Sequence, residues 1–153
     1  MPLTVVLDNL RSLQNVGAIF RTAEAIMAEK IYLCGITGKP PRKEITKAAL
    51  GAVEIVPWQY VASTRETLLK LRENGVKICA LELTHRSINY READYDFPMA
   101  LILGNEISGI SENVMDLVDF AVDIPMLGRA NSLNVATAFG IAGYEILSRW
   151  KSV

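Results

Sequence analysis

The chain has 153 residues, of which 50% are hydrophobic and 22% are charged, and its formal net charge is −1 at pH 7. This composition excludes a disordered protein, which lacks the apolar surface that offsets chain entropy, and the length predicts a single domain over residues 1–153. Two cysteines exclude a disulfide scaffold, no ligand cluster indicates a metal site, and no apolar run reaches the ~20 residues of a membrane span, so we expect a cytoplasmic protein.

Short apolar runs alternate with helical patterns along the chain. The predicted strands cover residues 3–7, 31–34, 53–58, 76–83, 99–103 and 120–124. The predicted helices cover residues 15–27, 43–50, 63–74, 111–117 and 132–150, and residues 85–98 are predicted to form a polar loop. The third helix begins at a capping box, Ser63-Thr-Arg-Glu66, and ends before Gly75. This alternation predicts an α/β fold, a mostly parallel sheet with helices on both faces.

The last predicted helix is apolar around nearly its whole circumference. A helix of that kind is buried on all sides, which a domain of this size rarely achieves alone. We therefore expect part of it to pack on a second subunit. The alternative is a central helix in a monomer.

Ligands of parallel sheets bind beyond the carboxyl ends of the strands, and three such loops carry unusual residues. In the first helix, Asn15 is predicted to cap the helix start, and Arg21 offers a flat fork of donors suited to phosphate. A capped helix with a surface arginine is the alternative. After the strand at 99–103, the turn Gly104-Asn105-Glu106 with Gly109 offers backbone groups and a carboxylate. The alternative is a plain strand-to-helix turn, with Ser111 as the cap of the helix that follows.

The third loop precedes the last helix. Ser132 or Asn131 is predicted to cap this helix, which places Asn134 in its first turn. Asparagine is a poor helix former, so a polar role is expected there, such as a hydrogen bond to a substrate hydroxyl or a cofactor. Neither a P-loop nor a Gly-x-Gly-x-x-Gly fingerprint occurs, which disfavours another kind of nucleotide-binding domain.

Taken in this order, the three segments resemble the motifs of the SpoU (TrmH-like) family of RNA ribose 2′-O-methyltransferases, which belongs to the SPOUT superfamily. The resemblance extends from Leu7 to about Leu147. Its motifs are Asn15-Val-Gly17-Ala-Ile-Phe-Arg21-Thr22, Gly104-Asn-Glu106 with Gly109, and Ile124-Pro-Met with Ser132-Leu-Asn-Val135. It implies a C-terminal trefoil knot, a homodimer formed through the knotted region, and S-adenosylmethionine as cofactor.

The resemblance also implies roles for individual residues. The cofactor would rest on Leu81, Glu82, Leu83, Leu103, Gly104, Asn105, Glu106, Ile124, Met126, Ser132 and Leu133. Arg21 would clamp a phosphate and stabilise alkoxide character at the 2′-oxygen, since an arginine stays protonated and is a poor base. Asn15 would orient the ribose, and Glu106 would hold Arg21 or accept a hydrogen bond. Asn134 and Ser132 would position the sugar and the cofactor, and no metal is needed.

RNA is the expected partner, with tRNA favoured and rRNA as the alternative. The first 50 residues hold seven Lys and Arg against four Asp and Glu, although charge alone favours a solvated loop as the explanation of this excess. We expect no separate RNA-binding extension, so RNA contacts would come from the dimer or from an accessory RNA-binding protein. The predicted RNA-binding residues are Arg11, Lys39, Arg42, Lys43, Lys47, Arg86 and Arg129. A SPOUT-like module that binds RNA or cofactor and dimerises without turnover is the alternative from another functional class.

Three further predictions concern isolated residues. Cys34 and Cys79 lie in apolar strands and are predicted to be inert core residues. Trp58 and Tyr60 are predicted to lie in the core or at its rim, with base stacking as the alternative. His85, the one histidine, is predicted to face solvent.

Overall fold

The structure is a computed structural model that describes residues 1–152, so Val153, the last residue of the predicted domain, lies outside the described residues. The strands are β1 (Leu3–Asp8), β2 (Lys30–Cys34), β3 (Trp58–Val61), β4 (Lys77–Leu81), β5 (Ile88–Asn89), β6 (Met99–Leu103) and β7 (Phe120–Asp123). The helices are α1 (Leu13–Ala25), α2 (Lys43–Ala49), α3 (Thr64–Glu73), α4 (Glu112–Met115) and α5 (Val135–Lys151), with a 3₁₀ helix at Ala52–Glu54. Within residues 1–152, none of the helices combines the length and apolarity of a bilayer span.

The strands of the described chain form one sheet in the order β3-β2-β1-β6-β4-β7-β5, and all neighbouring strands run parallel. Apolar side chains fill both of its faces. In the central strand β1, Val5 belongs to a core cluster shared with α1, α2 and α5, and Val6 belongs to a second cluster shared with α3 and α4. The predicted α/β architecture, a parallel sheet covered on both faces, is confirmed.

Residues 53–58 differ from the prediction of a strand. Leu50 and Gly51 both adopt positive φ, 48° and 86°, and turn the chain out of α2. The Ala52 carbonyl then accepts the N–H groups of Ile55 and Val56, so these apolar residues form local hydrogen bonds instead of a ladder. The strand starts only at Trp58. Conversely, the two-residue strand β5 lies in the predicted polar loop, where it is too short to show a periodicity.

The caps of the first and last helices also differ from the prediction. Ser12 is the cap of α1, because its hydroxyl accepts the Asn15 N–H at 3.2 Å, and Asn15 lies inside the first turn. Asn134, predicted inside the last helix, is its cap: its side-chain oxygen accepts the N–H groups of Ala136 and Thr137 at 2.9 and 3.2 Å. The first correction releases the Asn15 side chain from capping, and the second leaves only the Nδ2 group of Asn134 for the crevice between the two helix starts.

The predicted start and end of the third helix are confirmed. Ser63 caps α3 by accepting the Glu66 N–H at 3.1 Å. The helix ends at Glu73, and Gly75 follows with φ 78°, a conformation that favours glycine. Local chemistry alone therefore sets both ends of this helix.

The last helix, α5, is buried on one side of the described chain and not all round. Phe139, Ala142 and Ile146 are fully buried on that side. Ile141 and Tyr144, on another side, are 36% and 54% exposed. The described chain therefore contradicts the alternative of a central helix in a monomer, because one face of α5 packs on α1 and β4 while another face stays exposed. Packing of the exposed side on a second subunit stays a prediction, as does the trefoil knot.

Both cysteines should be inert in the native protein. Cys34 and Cys79 are fully buried, and burial raises the pKa of each thiol. Because the thiolate is the reactive form, we expect no labelling by Ellman's reagent at pH 8 until the protein is unfolded in urea, where two thiols per chain should react. Rapid labelling of the native protein would contradict the core prediction.

Candidate functional site

A cleft of about 970 Å³ opens at the carboxyl ends of β4, β6 and β7 and at the start of α5. This is the edge of a parallel sheet where ligands bind. We call it the main cleft. It brings together all eleven residues that were predicted to hold a cofactor: Leu81, Glu82, Leu83, Leu103, Gly104, Asn105, Glu106, Ile124, Met126, Ser132 and Leu133. Their role in binding stays a prediction, but they share one concave surface.

The five predicted catalytic residues are divided by the structure. Asn15, Glu106, Ser132 and Asn134 line the main cleft. Arg21 does not line it and lies on the exposed side of α1. Helix geometry explains the separation, because six residues place Arg21 about 9 Å further along the axis than Asn15 and about 120° around it. One chain alone therefore does not bring the arginine to the other four residues.

Three of the lining residues form a hydrogen-bonded chain that we call the asparagine network. Asn134 donates from Nδ2 to Oδ1 of Asn15 at 3.0 Å. Asn15 in turn donates from Nδ2 to Oε2 of Glu106 at 3.3 Å. The network ties together the first turn of α1, the loop after β6 and the cap of α5, which are far apart in sequence. It fixes which end of each amide faces the cleft.

Glu106 anchors this network to the start of α1. Its two carboxylate oxygens accept the backbone N–H groups of Arg11 and Ser12 at 2.8 and 2.7 Å. Partial burial opposes ionisation, but these two N–H groups and the Asn15 amide outweigh it and hold the pKa of Glu106 below its usual range. Of the two predicted roles, the carboxylate takes that of hydrogen-bond acceptor in the described chain.

The low pKa of Glu106 predicts acid-sensitive stability. The unfolded state binds the proton more tightly than the native state, so Glu106 contributes stability above its unfolded pKa and loses it as pH falls through the native pKa. We expect Glu106→Gln to have a lower free energy of unfolding than the native protein at pH 7, because its amide cannot accept both N–H groups. This difference in the free energy of unfolding should become smaller towards pH 3. Urea unfolding across this pH range measures it. A gap that is constant with pH would contradict the assignment.

The turn after β6 has little room for side chains. Asn105 and Gly109 exchange two backbone hydrogen bonds, and Oδ1 of Asn105 accepts the N–H groups of Ile107 and Ser108. A Cβ atom on Gly104 would lie 2.3 Å from the backbone nitrogen of Ile110. Asn105 therefore shapes the floor of the main cleft, and glycine is required at 104 by close backbone approach.

Asp8 is a residue that the sequence analysis missed. It is almost fully buried, and its carboxylate accepts the Thr64 hydroxyl at 2.6 Å and the Ser111 N–H at 2.8 Å. Glu82, beside it, accepts the N–H of Ile110 at 3.1 Å. Burial raises the pKa of Glu82, and the negative charge of Asp8 adds to this effect. The hydrogen bond from Ile110 lowers the pKa, but by less. The signal in the sequence was an acidic residue at the end of a strand that is otherwise apolar except for Thr4, at the sheet edge where ligands bind.

The predicted RNA-binding residues are all exposed in the described chain, and all follow the carboxyl ends of strands. Arg11 follows β1, and Arg86 and Arg129 follow β4 and β7. The other four, which follow β2, are Lys39, Arg42, Lys43 and Lys47. Five of them lie in the loops at the same edge of the sheet as the main cleft, namely Arg11, Lys39, Arg42, Arg86 and Arg129, whereas Lys43 and Lys47 belong to α2.

Comparisons with known proteins agree with this site. The family model described as the SpoU rRNA Methylase family matches residues 2–144. A Staphylococcus haemolyticus protein named for the TrmH family of tRNA/rRNA methyltransferases is 33% identical over 142 residues, which are 93% of this chain and 57% of that protein. The chain thus spans less than two thirds of the curated relatives it matches.

Solved structures are similar over nearly the whole chain. The A. aeolicus TrmH/SpoU tRNA modifying enzyme has a TM-score of 0.90 at 33% identity, covering 99% of this chain and 76% of its own. The SpoU methyltransferase AviRb from Streptomyces viridochromogenes, in complex with AdoMet, has a TM-score of 0.89 at 27% identity, covering 98% and 61%. A structure described by the 2-OH methylation of C/U34 on tRNA has a TM-score of 0.85 at 26% identity, and both chains are covered completely.

The sequence match and the structural match therefore agree over the same residues, and both include the three segments that meet in the main cleft. The chain belongs to the SpoU rRNA methylase family.

Proposed function

We propose that this protein transfers a methyl group from S-adenosylmethionine to a ribose 2′-hydroxyl of RNA, with tRNA as the favoured substrate. The observation that carries the proposal is the main cleft, in which the residues expected to hold the cofactor meet the asparagine network. Family membership and a similar structure in complex with AdoMet support it.

The cleft fits the cofactor in size and in chemistry. Its volume lies within the range of small-molecule sites, and leucine side chains alternate there with polar groups of the turn after β6. When bound, S-adenosylmethionine supplies an electrophilic methyl group on a cationic sulfur: a C–O bond would form at the 2′-oxygen, the S–CH₃ bond would break with its electron pair kept by sulfur as S-adenosylhomocysteine, and the hydroxyl proton would pass to water. Leu81, Leu103 and Leu133 would enclose the cofactor by apolar contact, and the backbone at Gly104 would allow close approach.

The asparagine network would position the ribose. Asn15 and Asn134 present amide groups to the cleft, and Glu106 keeps Asn15 in one orientation. Ser132, which precedes α5, would add a hydroxyl beside the sugar and cofactor. A nucleophile held in line with the methyl group reacts faster because its orientation is already fixed. The chain's own contribution is therefore orientation together with electrostatic stabilisation.

Arg21 would complete the site from a second copy of the chain. It lies outside the main cleft of its own chain, and a homodimer supplies a second arginine. The exposed apolar residues Ile141 and Tyr144 of α5, and Leu127, which is 98% exposed, offer surface for such a dimer. The arginine would bind a phosphate next to the target ribose and stabilise negative charge at the 2′-oxygen.

The RNA named for a similar structure makes tRNA the first substrate to test. The similar structure that matches this chain completely in both directions is described by methylation at C/U34 of tRNA. The exposed cations on the same side of the sheet as the cleft would contact the RNA backbone. An accessory RNA-binding protein could strengthen this contact in the cytoplasm, and rRNA is the alternative substrate.

Two measurements on the purified protein and one on a strain without it test the proposal. Calorimetry should detect binding of S-adenosylmethionine, and a labelled methyl group should appear in unfractionated tRNA as a 2′-O-methyl nucleoside. Mass spectrometry of tRNA nucleosides from a strain without this protein should show one such nucleoside lost, with position 34 examined first. Absence of both cofactor binding and transfer to tRNA or rRNA would refute the proposal.

One observation favours the second candidate function, a dimerising module that binds RNA or cofactor without turnover. The described chain does not bring Arg21 to the main cleft. Under this alternative, S-adenosylmethionine binds but no methyl group is transferred to any RNA. The same two measurements therefore separate the two candidates.

A further inference from the structure

A second groove lies beside the main cleft, and the proposed function gives it no ligand of its own. It is lined by residues 35–42, which follow β2, and by Tyr60 of β3, and its volume is about 420 Å³. We call it the Lys39 groove. Its lining combines an aromatic ring, two cations and exposed backbone, which is the composition of sites for unpaired nucleotides.

The aromatic ring of the groove is held in place. Tyr60 is 37% exposed, and its hydroxyl donates to the Gly35 carbonyl at 2.7 Å. The Lys39 ammonium lies over the ring, 4.8 Å from its centroid. The ring is therefore oriented before any ligand arrives, and a positive charge already lies beside it.

The loop that forms the groove wall is also fixed. The buried Thr37 hydroxyl donates to the Cys34 carbonyl at 2.7 Å and accepts the Leu10 N–H at 3.1 Å. Gly38 packs so tightly on α1 that an added Cβ would lie 2.3 Å from a methyl carbon of Leu13. A wall ordered in this way loses little entropy when it binds a ligand.

The charge of the groove suits a polyanion. Residues 35–47 include four cationic side chains, those of Lys39, Arg42, Lys43 and Lys47, against the single acidic residue Glu44. Lys39 and Arg42 lie on the groove itself and are exposed. Such a cluster attracts phosphates at low salt and loses that attraction as salt rises.

The groove lies close to the main cleft. Strand β1 alone separates β2 from β6, so the loops after β2 and β6 lie about 10 Å apart. Asn9 bridges them: its Oδ1 accepts the Ile36 N–H at 3.0 Å, and its carbonyl accepts Nδ2 of Asn105 at 2.8 Å. The distance between these two loops corresponds to about three stacked nucleotides of one RNA strand.

We propose that the Lys39 groove binds an unpaired nucleotide about three positions along the RNA from the methylated one, with its base on Tyr60 and its phosphates at Lys39 and Arg42. The inference rests on the proposed function for the identity of the RNA in the main cleft. Lys39 has a flexible stem, so its ammonium would move from the ring to the phosphate as the base enters.

The binding test uses fluorescence anisotropy with a fluorescein-labelled single-stranded oligouridylate. Tyr60→Leu should weaken binding roughly tenfold, and Tyr60→Phe, which keeps the ring, should bind nearly as the native protein does. Lys39→Ala should lower the slope of log affinity against log salt by about 0.7. Lys77→Ala is the matched control, because Lys77 is exposed at the opposite edge of the sheet, and its slope should not change.

A kinetic arm separates this inference from the proposed function. Tyr60→Leu should raise KM for tRNA and leave the Kd for S-adenosylmethionine unchanged. Native KM and native oligouridylate binding in both Tyr60→Leu and Lys39→Ala would overturn the groove and leave the methyltransferase proposal intact. Another outcome is that the native protein binds no S-adenosylmethionine while Tyr60→Leu still weakens the binding of oligouridylate. That result would support the nucleotide site in the groove and refute the methyltransferase proposal. If Tyr60→Leu has a lower Tm than the native protein, the salt dependence of oligouridylate binding by Lys39→Ala tests the groove instead.

Discussion

Replacement of Arg21 by alanine should lower the rate of methyl transfer to tRNA by about 10²–10³-fold. The guanidinium is the one group of the proposed site that carries positive charge to the phosphate beside the target ribose. Without it, the negative charge that develops on the 2′-oxygen has no cationic side chain of the protein beside it. Calorimetry should give an unchanged Kd for S-adenosylmethionine, because the proposed partner of Arg21 is a phosphate of the RNA and not the cofactor.

Two further variants sharpen the Arg21 experiment. Arg21→Lys keeps the charge but loses the planar fork of donors, and we expect it to recover only part of the rate. Arg65→Ala removes an arginine paired with Asp116 on another part of the surface, and it should transfer methyl groups at the native rate. Full activity in Arg21→Ala would remove this residue from the mechanism, whichever subunit supplies it.

Replacement of Gly104 by alanine should destabilise the protein by about 1–3 kcal/mol and weaken the binding of S-adenosylmethionine at least severalfold. The added Cβ would lie 2.3 and 2.4 Å from backbone atoms of Ile110 and Gly109. Backbone atoms cannot rotate away as a flexible side chain can, so the whole turn below the cleft must shift. Urea unfolding and calorimetry measure the two effects.

Gly128→Ala is the matched control for Gly104→Ala. Gly128 also lies on the main cleft, but an added Cβ there meets no atom within 4 Å. We expect its free energy of unfolding to stay within about 0.5 kcal/mol of the native value. Equal stability of the two variants would show that the turn after β6 can adapt, against the tight packing described above.

The fold was predictable where local patterns and burial agree. In β6, five apolar residues in a row, all of them buried, are typical of a central parallel strand. The capping box at Ser63 and the stop at Gly75 gave the ends of α3 because both depend on local chemistry. The stretch after Gly51 was not predictable, since two residues of positive φ redirect the chain and apolarity alone does not reveal them.

The site was predictable from the order of its three segments more than from any residue by itself. Asn15 was expected as a helix cap, whereas Ser12 takes that position and leaves the Asn15 amide for Glu106. That partner lies in a distant segment, so no local pattern could disclose it. The position of Arg21 was beyond sequence reasoning for a similar reason: only three-dimensional geometry separates it from the cleft.

The order of the strands has a consequence for biosynthesis. The central ladder pairs Leu3 of β1 with Met99 of β6. The first strand to leave the ribosome therefore lacks its partner β6 until about a hundred residues have been synthesised. Until then the nascent chain can assemble only β1, β2 and β3, with one side of β1 unprotected. Contacts so distant along the chain slow folding, so chaperone capture of this early intermediate would be most useful during translation.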